Sequence, residues 1–336
     1  MPEAVKRAAR LPRVVILATG GTIAGVQPDA GSTAYHAGTL TAAQLTAAVP
    51  QLQRLARIHS EQIANVGSQS MTHAIWHALA QRIRTLADDE DTDGVVITHG
   101  TDTLEETAFF LSLTVPSAKP LVFASAMRPA TALSADGPAN LYHAVALASS
   151  AAAAHRGPLA VMNGEIHGAR DVQKMAAESL HAFASPNCGK AGVMLGQVAH
   201  FHAPAAPHTP IWAGQAIPEP QRWPRVGIVY AHADMQPDII EAMTERYDGI
   251  VLAGVGEGNA SDAAVQALGV AASRGVVVVR ASRTGSGFVS HAELDSVAGR
   301  FIAAGNLSPQ KARILLMLAL LEKPTESRLR QLFASF

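Results

Sequence analysis

The sequence predicts an α/β protein: a large N-terminal doubly wound sheet followed by a smaller C-terminal α/β unit. Three observations carry that expectation. Apolar, β-branched runs such as Val14–Ala18, Gly94–Thr98 and Gly249–Ala253 read as strands buried on both faces of a parallel sheet. Segments of helical spacing alternate with them, the order expected of a doubly wound architecture. Six prolines between Ala203 and Pro224 interrupt the alternation once, at a density that excludes a regular helix or central strand. The expected organisation is an N-terminal unit over residues 1–203, a Pro-rich linker over 204–224 and a C-terminal unit over 225–336.

In chain order, the strands expected in the first unit are Val14–Ala18, Ile58–Val66, Gly94–Thr98 and Leu121–Ala124. A helix is predicted over Met71–Leu86, where Ile75, Leu79, Ile83 and Leu86 share one face and Ser70 is placed to cap it. A second helix is predicted over Leu104–Leu113, with Asp102 and Glu105 at capping-box spacing. The alanine-rich stretch Asn140–Ala154 suits a third. Beyond the prolines, strands are expected at Arg225–Tyr230, Gly249–Ala253 and Val276–Arg280, and helices at Asp238–Arg246, Asp262–Ser273 and Pro309–Leu321.

Bulk properties remove several functions. Only 16% of residues are charged and the net charge is −1, without a basic run, which argues against nucleic-acid binding. The single cysteine, Cys188, cannot close an internal disulfide and reads as a structural thiol. The first apolar run leads straight into TGGTIAG, as a core strand does and a signal peptide does not. No apolar stretch reaches the ~18 residues of a membrane span. The expected location is the cytoplasm, or the periplasm if a leader has been removed. The 14 histidines show no metal-ligand spacing, and no dinucleotide fingerprint follows a strand.

Chemistry gathers where strands end. In VVILATGGTIAG and GVVITHGTDTLEETAFFL an apolar run stops at glycine and a threonine follows, Thr22 and Thr101. Open α/β sheets bind ligands beyond the carboxyl ends of their strands. Thr22 reads as a nucleophile needing activation, beside glycine amides able to face an oxyanion, or as the closure of a strand-to-loop turn. The long Gly-rich connection Ala24–Leu40 carries one aromatic, Tyr35, and suits a lid or a surface loop. Asp102 serves as a helix cap, a ligand contact or both. Lys174, in GARDVQK, would ease deprotonation of Thr101 if it lay close, but spacing alone does not select it. Ser68 and Gln69 in GSQS are short polar groups at a strand end, suited to a carboxylate or to a turn.

These segments together resemble a known family. TGGTIAG (Thr19–Gly25) and THGTDTLEETAFFL (Thr98–Leu111) look like the two signature motifs of the bacterial-type L-asparaginase (asparaginase/glutaminase) family. AMRP (Ala126–Pro129), GARDVQK (Gly168–Lys174), YDGIVLAGVGEGN (Tyr247–Asn259) and SPQKARILL (Ser308–Leu316) extend the likeness over nearly the whole chain. The resemblance implies hydrolysis of L-asparagine, often with some L-glutaminase activity, no metal or cofactor, and a homotetramer built as a dimer of dimers. Its smaller domain is of flavodoxin-like type. It makes Thr22 the nucleophile with Tyr35 assisting, and Thr101, Asp102 and Lys174 a second catalytic group. Ser68, Gln69 and Asp102 would bind the substrate's α-carboxylate and amino group, and the Ala126 carbonyl its amide. Asp234 and Glu293 would reach the site of a neighbouring subunit. Two alternatives remain open at this point: a glutaminase-asparaginase, or an amidase subunit feeding ammonia to another enzyme, and a non-catalytic amino-acid sensor.

Overall fold

The structure is a computed structural model describing residues 10–29, 32, 34–116, 118–205, 210–290 and 301–336. The chain divides into two compact units, Met1–Ile217 and Pro218–Phe336. In the first, β1 (Arg13–Gly20), α1 (Ala42–Ala47), β2 (Arg57–Val66), α2 (His73–Asp88), β3 (Gly94–Thr98), α3 (Leu104–Thr114), β4 (Leu121–Ala124), α4 (Gly137–Ala148) and β5 (Pro158–Met162) alternate. Four short antiparallel elements and a last strand follow: β6 (Glu165–Gly168), β7 (Gln173–Lys174), β8 (Phe183–Ala184), β9 (Gly192–Leu195) and β10 (Val198–Phe201).

The main sheet has eight strands in the order β10-β9-β6-β5-β4-β3-β1-β2, parallel from β2 to β5 and antiparallel beyond. Strands β7 and β8 pair with each other outside it. β3 and β4 are buried along their whole length, which is why they read as continuous apolar runs rather than alternating ones. α3 is buried on almost every side, whereas α2 buries one face through Trp76, Leu79, Ile83 and Leu86. Trp76 stacks on Phe110 of α3, with ring centroids 5.0 Å apart.

The second unit is a four-stranded parallel sheet in sequence order: β11 (Val226–Tyr230), β12 (Gly249–Gly254), β13 (Val277–Ser282) and β14 (Ile302–Ala303). Its helices are α5 (Asp238–Thr244), α6 (Asp262–Ser273), α7 (Pro309–Leu320) and α8 (Glu326–Ala334). Ser261 caps α6 by accepting from the Ala264 amide. Within the Pro-rich stretch, the Trp212 amide donates to the Leu113 carbonyl, and Arg84 donates to the carbonyls of Trp212 and Gln215. Residues 210–217 are thereby fastened to the first unit.

Three local expectations are corrected. α2 begins at His73 and is capped by Thr72, which accepts from the Ile75 amide, because Ser70 is taken up in a tight 3-10 turn over Ser68–Ser70. The capping box at Asp102 and Glu105 does not form: Thr103 holds the cap position, and the Glu105 carboxylate turns to the Lys174 amide at 2.6 Å. The alanine-rich helix stops at Ala148, and Ala151–Ala153 forms a separate 3-10 turn.

Phe110 is fully buried and stacked. Phe110→Ala is expected to cost about 3–5 kcal/mol, the cavity range for a core aromatic. Urea unfolding of the variant should show that loss as a lower midpoint at unchanged slope. A loss under ~1 kcal/mol would mean that the α2–α3 contact is not held by this stack.

Candidate active site

The order β2-β1-β3-β4-β5 has a switch point at β1, whose parallel neighbours are β2 on one side and β3 on the other. Ligand crevices in open α/β sheets form at such a point, beyond the strands' carboxyl ends. Two loops emerge there. The one after β1 leaves through Gly20 and Gly21, at φ +101° and +83°, conformations that favour glycine. A Cβ on Gly21 would stand 2.3 Å from the Gly100 nitrogen in the loop after β3, so the two loops cross in backbone contact. The contact brings the segments bearing Thr22 and Thr101 together.

Thr22 opens a short 3-10 turn and is 7% exposed. Its Oγ1 lies 2.8 Å from the Tyr35 hydroxyl. Tyr35 reaches it because the lid folds back: Val26 and His36 exchange backbone hydrogen bonds at 3.1 and 2.9 Å, and the Gly38 amide donates to the Gly21 carbonyl. The Tyr35 ring lies against Gly25, where a Cβ would come within 2.9 Å of it.

The second cluster forms around Lys174. Its Nζ donates to Thr101 Oγ1 at 2.9 Å and to Asp102 Oδ1 at 2.6 Å. The Lys174 side chain is mostly buried while that of Asp102 is about half exposed. These are charge-assisted bonds, and the bond accepted by Thr101 leaves its own O–H to donate elsewhere. Ser68 sits directly beneath: its Oγ accepts from the Asp102 amide at 3.1 Å, and its carbonyl accepts from the Thr103 hydroxyl at 2.8 Å. Gln69 is exposed beside it on the same turn. Ala126 is buried two residues past β4, in a loop held by Asp136, which accepts from the Met127 and Arg128 amides. Asp234 belongs to the second unit, in the loop after β11 at φ +55°. Glu293 lies outside the described residues.

Behind the loops runs a buried relay that pattern reading did not reveal. The Trp76 indole donates to Thr107 Oγ1 at 2.8 Å, and Thr107 lies 2.9 Å from His99 Nε2. His99 Nδ1 lies 2.7 Å from the Gly100 carbonyl. A carbonyl only accepts, which assigns the proton to Nδ1 and lets Nε2 accept from Thr107. Asn140, also buried, donates to the Ser125 carbonyl at 2.9 Å and accepts from the Asn163 amide at 3.0 Å. The available signal was Thr107 itself, polar at an apolar position of a buried helix. Cys188 takes no part: burial and the neighbouring Asp171 raise its thiol pKa, which disfavours the thiolate. Among the described residues no cluster of three or more His, Cys, Asp or Glu could hold a metal ion, and no helix is long and apolar enough to cross a membrane.

Comparison with known proteins follows the same division of the chain. Residues 13–206 match the family described as Asparaginase, N-terminal, and residues 225–333 match the Glutaminase/Asparaginase C-terminal domain. The chain is 44% identical over 335 residues to a probable periplasmic L-asparaginase of Haemophilus influenzae, spanning 99% of this chain and 95% of that protein. It is 44% identical over 329 residues to L-asparaginase 2 of Escherichia coli, spanning 97% and 94%. It is 39% identical over 333 residues to a glutaminase-asparaginase of Pseudomonas fluorescens, spanning 98% and 92%. Among solved structures, a probable cytoplasmic L-asparaginase from Campylobacter jejuni superposes with a TM-score of 0.92 at 40% identity, covering 97% of this chain and 100% of that one.

The relay has a pH signature. Burial lowers the His99 pKa from 6.5 to about 4, against a smaller raising effect of the Gly100 carbonyl. Between these values the unfolded chain binds a proton that the folded chain does not, so stability is full above pH ~6.5 and falls as the pH drops towards ~4. The loss attributable to His99 is about 3 kcal/mol across that window. Denaturation midpoints at neutral and acid pH should therefore converge more closely in His99→Gln than in the parent. An equal acid loss in both proteins would overturn this assignment.

Proposed function

The chain belongs to the asparaginase family, and we propose that it hydrolyses L-asparagine to L-aspartate and ammonia with Thr22 as nucleophile. The observation that carries this reading is the Lys174 ammonium between Thr101 and Asp102, at the strand end beside the one that bears Thr22 and Tyr35. A hydroxyl needs a partner to become a nucleophile, and here each threonine has one.

In this mechanism Thr22 Oγ1 bonds to the side-chain amide carbon and its proton passes through the Tyr35 oxygen. The amide C–N bond breaks, the nitrogen gains a proton and leaves as ammonia, and an ester to Thr22 remains. Water then cleaves that ester, a proton returns to Thr22, and aspartate is released. Thr101, with Lys174 and Asp102, works the opposite side of the substrate, moving protons to the leaving nitrogen and from the water. Ser68, Gln69 and Asp102 hold the α-carboxylate and amino group, and the Ala126 carbonyl faces the amide nitrogen. Asp234 and Glu293 complete a neighbouring subunit's site in a homotetramer, Glu293 receiving the proton relayed by Tyr35. We place the protein in the cytoplasm, as the name of one solved relative has that protein. A single cysteine asks nothing of an oxidising compartment.

Positioned acid–base groups contribute about 10²–10⁴-fold each. Thr22→Ala and Thr101→Ala should each lose at least that much ammonia release while far-UV circular dichroism stays unchanged. Near-normal turnover in both would overturn the mechanism. L-Asparagine and L-glutamine should be assayed side by side, because a glutaminase-asparaginase is among the relatives. One methylene is worth only ~1–3 kcal/mol in a pocket, so a 10–200-fold preference for asparagine is the expected range. A site shared between subunits also predicts that activity falls on dilution to monomers. A fully active monomer would remove Asp234 and Glu293 from it.

A further inference from the structure

We propose that Glu105 is a positioning residue for this reaction, its buried carboxylate holding the main chain of Lys174 so that the ammonium meets Thr101 and Asp102. The proposal rests on the reading of Thr101, Asp102 and Lys174 given above. Lys174 is gripped at both ends by one short stretch of chain. At its tip, Nζ donates to Thr101 and Asp102; at its base, the amide donates to Glu105 Oε2 at 2.6 Å. Thr101 and Asp102 immediately precede α3, and Glu105 lies in its first turn. A rigid helix start therefore sets both contacts at once.

The grip answers a weakness in the fold. Lys174 sits on β7, which among the described residues pairs with β8 alone, in a two-stranded ribbon of two residues per strand outside the eight-stranded sheet. A two-stranded pair alone is marginal in water, so this one depends on what it packs against: Gln173 and Phe183 are buried, while Lys174 is partly buried. The ribbon's own bonds, such as the Met175 amide to the Ala182 carbonyl, order it internally without setting its distance from α3. The Glu105 bond spans 69 residues of sequence and ties the ribbon directly to the first turn of α3. The lysine stem is flexible, so its ammonium is only as well placed as the backbone that carries it. Glu105 is 4% exposed, an unusual place for a carboxylate. It lies in the first turn of α3 and accepts the Lys174 amide there.

A displacement of about 1 Å at a catalytic group costs on the order of 10²-fold. Two conservative variants separate reach from charge. Glu105→Gln keeps the length and an accepting oxygen, and should hold kcat for asparagine within about threefold. Glu105→Asp keeps the charge but withdraws the oxygens by one methylene, and should lower kcat by about 10–100-fold with KM changed less than about threefold. In a Lys174→Met background, Glu105→Asp should cost less than about threefold more, because both substitutions act through one group. The proposal is overturned if Glu105→Asp keeps parental kcat, if Glu105→Gln is the more damaged of the two, or if the losses multiply in the double variant. If Lys174→Met itself retains turnover, the catalytic reading of Lys174 has failed. If Lys174→Met is inactive and Glu105→Asp is not, the positioning role alone has failed.

Discussion

The arrangement of the first unit depends on a steric constraint at the exit of β1. Gly20 is pressed against β2, where a Cβ would stand 2.5 Å from the Val66 carbonyl oxygen. Gly21 is pressed against the β3 loop, where a Cβ would stand 2.3 Å from the Gly100 nitrogen. Both have positive φ, at which an L side chain costs about 1–2 kcal/mol before any clash is counted. Only bare backbone lets the chain leave β1 between its two neighbours. The switch point of the sheet and the approach of the two threonine-bearing loops are one structural fact. The Gly21 peptide also ties the lid, since its carbonyl accepts from the Gly38 and Ala24 amides, both at 3.1 Å.

Loops in such contact need support from behind, and the support is polar. Trp76 on α2, Thr107 on α3 and His99 at the end of β3 pass one hydrogen bond to the next until it reaches the Gly100 carbonyl. Thr19 adds a bond from the end of β1 to the Thr98 carbonyl at 2.9 Å. In a low-dielectric interior such a chain rigidifies when every member is satisfied and is costly when one is not. Burial keeps His99 neutral, so its ring donates at one nitrogen and accepts at the other, as the relay requires. The loop geometry is thereby fixed before a ligand arrives, which is the condition for electrostatic stabilisation without reorganisation.

What could be read from the residues follows from how local each signal is. β3, β4 and α6 were legible to the residue, because β3 and β4 are unbroken apolar runs and α6 keeps its helical pattern between clear breaks. β9 and β10 were missed: GVML and VAHF are short, sit at the sheet's edge and bury only some of their residues. Thr22, Thr101 and Tyr35 stood out from the residues alone, the threonines following glycine-ended strands and the tyrosine standing alone in its loop, and the fold brings Tyr35 against Thr22. Lys174 was not, since two residues of strand carry no periodicity, and only the family resemblance selected it. Glu105 was misread for a physical reason. Its spacing from Asp102 suits a capping box, but a contact 69 residues away captured the carboxylate. Tertiary competition of this kind leaves no local trace.

The lid gives the architecture its last requirement. Tyr35 remains 40% exposed while its hydroxyl lies 2.8 Å from Thr22, so its place is set by backbone contacts rather than by burial. Those contacts are the Val26–His36 bridge, the bond from the Gly38 amide to Gly21, and the close fit of the ring over Gly25. Lid segments come from the less stable part of a fold, because they must release product. With Thr22 as nucleophile, an opening of the lid would remove its hydroxyl partner, whereas Thr101 takes its partner, Lys174, from a different segment of chain. The two threonines therefore differ in how their partners are held: Tyr35 stands in a partly exposed loop, and Lys174 on a short ribbon whose backbone is held by Glu105. On the proposed mechanism, a partner supplied by the loop would confine the reactive Thr22 hydroxyl to a closed site from which bulk water is shut out.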